Sequence, residues 1–425
     1  MSGPQPERVI VVGAGAAGLM AARELARAGR RVTILEARDR CGGRIDSLSP
    51  SEFGYRAEGG AEFVHGEAPV TRAVLREAGL SLLPVQGARW TVDQRGFSQD
   101  DAPDPHSGRF RQALAELKTD VTVADFLKRH FAGPEYAPLR QSVLRTVESY
   151  DAADPARASM LAIREEWLNG GRSGQARVAG GYGALIDVLA EDCRKHGASI
   201  HLAAAVDAIE TRQGQALVRC VNGDSHTGDA AVVTVPLPAM RAIALPPEMR
   251  EMVAAAADIG IGNVIKILLR FKTRWWIGTE GRELSDLLFV ISDRAIPVWW
   301  TQHPDDHPVF TGWIAGPRTE AMAGLDESEL IEAGLASLAD IFARPREQLM
   351  RDLVAARAIN WGKDPFARGA YSYATLETRA AQSALAASPA PILFSGEALY
   401  RGPEMGTVEA ALASGLATAR AILAS

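Results

Sequence analysis

The sequence predicts an α/β protein whose leading strand–helix–strand unit is completed by chain segments that return much later. Three observations predict it. A strand-like run, Val9-Ile10-Val11-Val12, passes directly into Gly13-Ala14-Gly15-Ala16-Ala17-Gly18. An Ala/Leu-rich helical stretch then runs to Gly29, and a second apolar run, Val32-Thr33-Ile34-Leu35, ends on Glu36. Later runs of similar character, Ser199–Leu202, Ala205–Glu210 and Ala230–Val235, read as strands returning to this unit.

The residues of the opening unit each have a job in holding a dinucleotide. Gly13 permits the tight strand-to-helix turn, and Gly15, followed by Ala16 and Ala17, lets backbone N–H groups approach a pyrophosphate. Gly18 lets the helix lie close on the sheet, and the helix N-terminus offers unpaired N–H groups and a positive dipole end. Glu36, 18 positions after Gly18, stands where a strand tip would accept hydrogen bonds from an adenosine ribose.

The next segment, Ala37-Arg38-Asp39-Arg40-Cys41-Gly42-Gly43-Arg44-Ile45, adds a second glycine pair and an arginine. Glycines there suit a longer, buried ligand, and Arg44 offers a planar, permanently charged fork to phosphate oxygens. The whole stretch resembles the N-terminal FAD signature of the flavin-containing amine oxidase superfamily, which includes monoamine, polyamine and L-amino acid oxidases. The resemblance implies FAD as cofactor, with Ala37, Arg38 and Gly43 among its contacts. It also implies a two-domain architecture like that of amine oxidases and p-hydroxybenzoate hydroxylase. A Rossmann-like FAD-binding domain would be built from residues 1–85, 178–235 and 375–425. A mixed α+β substrate domain would take 86–177 and 236–374.

Further along, Gln86 to Gly108 is rich in Pro, Asp and Gly and reads as a loop-bearing excursion. Apolar spacings of three and four predict helices from about 109 to 168, with breaks at Gly133-Pro134 and Asp154-Pro155. Gly180–Gly183 opens a helix that runs to His196. Strand-like segments alternate with Trp-rich loops from Val264 to Ile314, and helices follow around Glu327–Phe342. The last block is Pro391–Phe394 and an Ala-rich helix from Thr407 to Leu423.

Several segments carry the resemblance further. Glu58-Gly59-Gly60-Ala61-Glu62-Phe63-Val64-His65-Gly66 resembles the GAxWIHG-type motif of polyamine oxidases and relatives, with Phe63 where many relatives have tryptophan. It implies backbone passing under the isoalloxazine and His65 standing at the substrate cavity. Val206 matches the short strand whose backbone meets the adenine. Lys266 interrupts an otherwise apolar strand pattern, Ile261–Leu269, and burying an ammonium is costly without partners. It matches the family lysine that reaches the flavin through a water. Desolvated there, it could lose its charge more readily and assist reoxidation by dioxygen. Trp361-Gly362 and Asp364–Tyr373 are similar to the family's W…DP…RGxYSY segment. That similarity puts Trp361 beside the flavin and Tyr371 in an aromatic cage. Phe394-Ser395-Gly396-Glu397 and Gly406-Thr407-Val408 match the C-terminal FAD motif. It implies Glu397 on cofactor hydroxyls and N–H groups of Thr407 and Val408 on the flavin C2 carbonyl. Where relatives carry a second cage aromatic this chain has Pro403-Glu404-Met405, leaving Tyr400 or Trp299-Trp300 to supply it.

Composition narrows the remaining classes. A net charge of −6 over 425 residues gives no polybasic footprint for nucleic acid. Three dispersed cysteines form no CxxC pair, which speaks against a disulfide framework or a zinc site and for a reducing compartment. His303 and His307 flank a polar loop and read as solvated rather than metal-binding. A polar, proline-bearing start, no long apolar run and an end soon after the last helix lead to the expectation of a soluble, cytoplasmic protein.

The expected function is therefore FAD-dependent oxidation of a polyamine or monoamine to an imine, with dioxygen reduced to hydrogen peroxide. Lys266, Tyr371 and His65 are the expected catalytic residues, with FAD held non-covalently and no metal. The rivals are a flavin desaturase or protoporphyrinogen-type oxidase acting on C–C bonds, and a non-catalytic FAD-binding protein.

Overall fold

In the computed structural model, which describes residues 7–93, 96–99, 104–168 and 174–424, the leading run forms the middle of a five-stranded parallel sheet. Its order is Ile392–Phe394, Ala230–Val233, Arg8–Val12, Arg31–Leu35, Ser199–His201. Strands from distant parts of the chain thus enclose the opening unit, and parallel strands buried on both faces read as continuous apolar runs. Val9, Val11, Val32 and Ile34 face the helices Ala16–Arg27, Tyr182–Lys195 and Val408–Ala424. Ile10, Val12, Leu35 and Val233 face the other way, onto Ile209, Ala216 and Val218.

Those last residues belong to an antiparallel sheet of Val206–Arg212, Gln215–Cys220 and Ser225–Gly228. The Ala205–Glu210 run was read as a strand returning to the nucleotide-binding unit. It covers the parallel sheet rather than extending it, because its alternating burial suits a strand with one wet face.

A seven-stranded sheet forms the second layer system. Its order is Leu353–Asn360, Val264–Phe271, Val309–Ala315, Val298–Trp300, Leu287–Ser292, Ala88–Asp93, Gly96–Ser98. The helix Glu327–Ile341 packs on it through Leu330, Leu335 and Leu338. Within the loop-bearing excursion read from Gln86 to Gly108, of which residues 94–95 and 100–103 lie outside the described residues, Ala88–Asp93 and Gly96–Ser98 are strands, the first pairing in parallel with Leu287–Ser292. Pairing with a distant strand overrides the local Pro/Asp/Gly signal. The helical stretch comprises Ser107–Ala115, Val123–His130, Ala137–Ser149 and Met160–Leu168 around Phe110, Phe126 and Phe131. Among the described residues no helix is long and apolar enough to cross a membrane.

Candidate active site

The C-terminal ends of the parallel strands, the seven-stranded sheet and the helical layer together border one cavity of about 1050 Å³. That is at the upper end of the roughly 300–1,000 Å³ of ordinary ligand pockets, as a large ligand requires.

At one end lie Gly13, Gly15, Ala16, Ala17, Glu36, Ala37, Arg38, Gly43 and Arg44. Gly13, at φ +105°, closes the turn against Thr234. Gly18 is off the cavity: a Cβ there would sit 2.0 Å from the Gly13 carbonyl oxygen, so its smallness brings helix and strand together. Gly15 differs from both. Its φ of −77° is open to any residue, and an added Cβ would meet nothing nearer than the Gly42 carbonyl at 3.8 Å. Gly43 is similarly uncrowded, and at Gly396 a Cβ would find nothing within 4 Å, although both have positive φ. All three border the cavity, so the space they leave free is the cavity itself. That is the form of a cradle into which a ligand's phosphates approach backbone N–H groups.

Glu36 is buried and turns its carboxylate back on the unit, accepting from the Ala14 N–H at 2.7 Å and the Arg38 N–H at 2.9 Å. Arg38 pairs with Asp364 at 2.6 Å. Arg44 and Glu397, expected as separate contacts to phosphate and hydroxyl, meet each other at 2.8 Å. Arg44 also donates to the Ala370 carbonyl at 2.7 Å. Val206 borders the cavity at the start of its strand.

Beyond this end the wall is Gly60, Ala61, Glu62, Phe63, Trp361, Tyr371, Gly396 and Glu397, with Gly406, Thr407 and Val408 at the last helix. Trp361 is buried and donates to the Gly59 carbonyl at 3.2 Å. Gly406 lets its loop pass Tyr371, because a Cβ there would come within 2.6 Å of the Ser372 carbonyl oxygen. Thr407 acts as a cap: its hydroxyl donates to the Glu404 carbonyl and accepts from the Ala410 N–H, and its own N–H turns to Glu404.

Lys266 is 1% exposed, and its ammonium is not left alone. It donates to Glu62 Oε2 at 2.9 Å and the Gly60 carbonyl at 3.1 Å, with its Nζ 5.3 Å from the Trp300 ring centre. The partners that a buried ammonium requires are thus supplied by the Gly60–Glu62 segment. Glu62, expected on the cofactor, also accepts from Arg177 Nε at 3.0 Å, Trp300 Nε1 at 3.0 Å and Gln302 Nε2 at 3.2 Å. Burial pushes its carboxyl up, but Lys266 and Arg177 outweigh burial and bring it down to about 2.

His65 is half-buried at the cavity wall, with Nδ1 3.1 Å from the Tyr150 hydroxyl. Burial lowers its pKa to about 4, so it is neutral at pH 7. Tyr371 donates to the Tyr150 backbone carbonyl at 2.8 Å, and burial raises its phenol well above the usual value. Asp151 and Glu166 reinforce that rise, and both border the cavity. For the missing aromatic, Trp299 is excluded by its burial in the second core, whereas Trp300, Trp313, Tyr150 and Tyr400 all border the cavity. No group of three or more potential metal ligands occurs among the described residues, and His307 stacks on Tyr55 with ring centres 4.0 Å apart.

Residues 16–423 match the family model of flavin containing amine oxidoreductases. The chain belongs to this family. It is thus an oxidoreductase that acts on amines and uses a flavin. Polyamine oxidase 5 of Oryza sativa subsp. japonica is 28% identical over 450 residues, covering 97% of this chain and 87% of that protein. A putrescine oxidase bound to putrescine has a TM-score of 0.77 at 21% identity, with 99% of each chain covered. Cyclohexylamine oxidase from Brevibacterium oxydans IH-35A has a TM-score of 0.79 at 20% identity over 99% of each. These two likenesses speak for the family fold.

Sequence reasoning missed Arg177, Tyr150, Trp313 and Gln302 as neighbours of the site. Only Arg177 lay near a signal, as a charge between two apolar residues of Gln175–Val178, whose Ala176 and Val178 are buried.

Proposed function

We propose that this chain is an FAD-dependent, peroxide-producing oxidase of a diamine or polyamine, holding its cofactor without a covalent bond. When bound, the flavin supplies the hydride acceptor for the amine α-carbon and then passes two electrons to dioxygen. The protein's own part is binding, orientation and exclusion of water. The overall balance is amine, dioxygen and water giving carbonyl compound, ammonia or a shorter amine, and hydrogen peroxide.

The observation that carries the reading is the single cavity running from the glycine cradle at Gly15 to Tyr371 and His65. Aromatic faces at Tyr371 and Trp361 suit an uncharged amine nitrogen aligned for reaction, and neutral His65 adds a hydrogen-bonding group without positive charge. Asp151 and Glu166, which border the same cavity as Tyr371, favour a substrate with a second, cationic nitrogen over a monoamine. The rice polyamine oxidase and the putrescine-bound neighbour support the same class.

Anaerobic mixing with 1,4-diaminobutane, spermidine, butylamine and cyclohexylamine, read by flavin bleaching, tests the proposal. Bleaching by the first two, and peroxide on admitting air, is expected. Bleaching by none of the four overturns the amine assignment, and faster bleaching by monoamines overturns the diamine assignment.

A further inference from the structure

A buried lysine and a largely covered arginine share one buried carboxylate on the wall of the cavity. Glu62 lies between Lys266 Nζ at 2.9 Å and Arg177 Nε at 3.0 Å, and all three side chains are 12% exposed or less. Arg177 is fixed independently, since its other nitrogens donate to the Thr301 and His303 carbonyls, each at 3.1 Å. Trp300 and Gln302 give neutral hydrogen bonds to the same carboxylate. The charges are +1, +1 and −1, so the cluster carries one net positive charge with little solvent to screen it. Glu62, Lys266 and Trp300 border the cavity directly.

We infer that Glu62 is a positioning residue for Lys266, and that the cluster's surplus positive charge acts on the flavin to favour its reduced, electron-rich form. The inference rests on the flavin reading of the cavity. Glu62 ties the ammonium to the Gly60–Glu62 segment, so the lysine presents a fixed charge rather than a mobile one. At the same time the carboxylate cancels half of the positive charge beside it. Removing Glu62 and removing Lys266 must therefore move the cofactor's equilibrium in opposite directions. A purely structural role has no reason to do so.

The test is the reduction potential of the bound flavin in Glu62→Gln, Lys266→Met and the double variant, measured at pH 6. There Glu58, a neighbouring carboxyl raised by burial to about 7, is largely protonated and adds little charge. Net cluster charges become +2, 0 and +1. We expect the potential to rise in Glu62→Gln and fall in Lys266→Met. Each shift should be at least tenfold in the reduced-to-oxidised ratio, about 30 mV for a two-electron couple. The double variant should return close to wild type. If Glu62→Gln does not fold, the double variant must still lie above Lys266→Met. Shifts of the same sign, or a double variant level with Lys266→Met, overturn the inference while leaving the flavin reading intact. A protein unable to hold flavin overturns that reading, and the inference with it.

Discussion

The Tyr371 hydroxyl donates to the backbone carbonyl of Tyr150 at 2.8 Å, while the Tyr150 hydroxyl lies 3.1 Å from His65 Nδ1. One residue at the end of the helix Ala137–Ser149 therefore touches both substrate-side groups named from the sequence. Removing only the Tyr371 hydroxyl forfeits one hydrogen bond, roughly 0.5–1.5 kcal/mol. Tyr371→Phe should keep kcat/KM within about tenfold of wild type on that scale. Tyr371→Ala should lose about a hundredfold, because the amine is no longer aligned. Since burial raises the Tyr371 phenol, any alkaline limb of the wild-type pH profile should persist in Tyr371→Phe. Steady-state kinetics of both variants against pH decide this, and equal losses would show that the ring itself is dispensable.

Lys266→Met should leave the flavin bound and slow its reoxidation more than its reduction. Deleting one partner of a buried ion pair commonly costs about 3–5 kcal/mol. Here Arg177 remains as counter-charge to Glu62, so the stability loss should fall below that range. Stopped-flow traces of the two half-reactions provide the measurement. An unchanged oxidative half-reaction would reduce Lys266 to a structural element.

At the opposite end of the cavity, Glu36→Ala should yield folded protein with reduced flavin content. The carboxylate accepts two backbone N–H groups, from Ala14 and Arg38, and thereby shapes the glycine turn as well as offering itself to a ribose. Hydrogen bonds to a charged group contribute roughly 1.5–3 kcal/mol each, enough to lower retention by more than tenfold. Flavin-to-protein absorbance ratios after extensive dialysis would reveal it, and a wild-type ratio would remove Glu36 from the nucleotide site.

Glu36 was legible because its meaning is local: a strand tip, 18 residues beyond a glycine turn. The parallel sheet was legible for the same reason, through runs such as Val9–Val12 and Ala230–Val233 that are apolar on both faces. Lys266 stood out as a charge in an apolar strand, yet its partner could not be read, since Glu62 lies 204 positions earlier. Nothing in either local pattern marks the two as neighbours. The strand Ala88–Asp93 was hidden differently, because its pairing with Leu287–Ser292 outweighs the turn-rich composition around it.

Glu58 makes stability depend on pH. Burial raises its carboxyl to about 7, against the lowering effect of hydrogen bonds from Ser47 and the Tyr182 N–H. A carboxyl whose folded pKa exceeds its unfolded value binds more protons when folded. Its penalty is absent below about pH 4.5, grows as pH rises, and is complete above about 7. Glu58→Gln should therefore gain stability relative to wild type between pH 5 and 8, on the order of 3 kcal/mol at most. Urea denaturation of both proteins across that window is the check. Because the comparison is between variants, the opposite contribution of His65, whose lowered pKa weakens the fold between pH 6.5 and 4, cancels. A constant difference across the window would mean that Glu58 titrates normally.

The proposed non-covalent attachment is tested by what denaturation releases. In mitochondrial-type monoamine oxidases the family resemblance places a flavin-bearing cysteine immediately before the cage tyrosine. Here Ala370 precedes Tyr371, and its carbonyl is occupied by Arg44 at 2.7 Å. Alanine has no group that could form a thioether. None of the three cysteines borders the cavity: Cys41 is half-buried beside Gly42, Cys193 packs under the helix Ala16–Arg27, and Cys220 lies in the core beneath the antiparallel sheet. Burial raises all three thiols, which lowers their thiolate fraction and hence their reactivity. On the proposed reading, retention comes from many separate contacts, with the Gly15 cradle and helix end assigned to phosphates, Glu36 to hydroxyls, and burial to the ring. Acid or heat denaturation should release intact FAD into the supernatant and leave a colourless polypeptide of unmodified mass. A yellow pellet, or a polypeptide heavier by one flavin, would overturn this attachment and the alignment of Ala370 on which it rests.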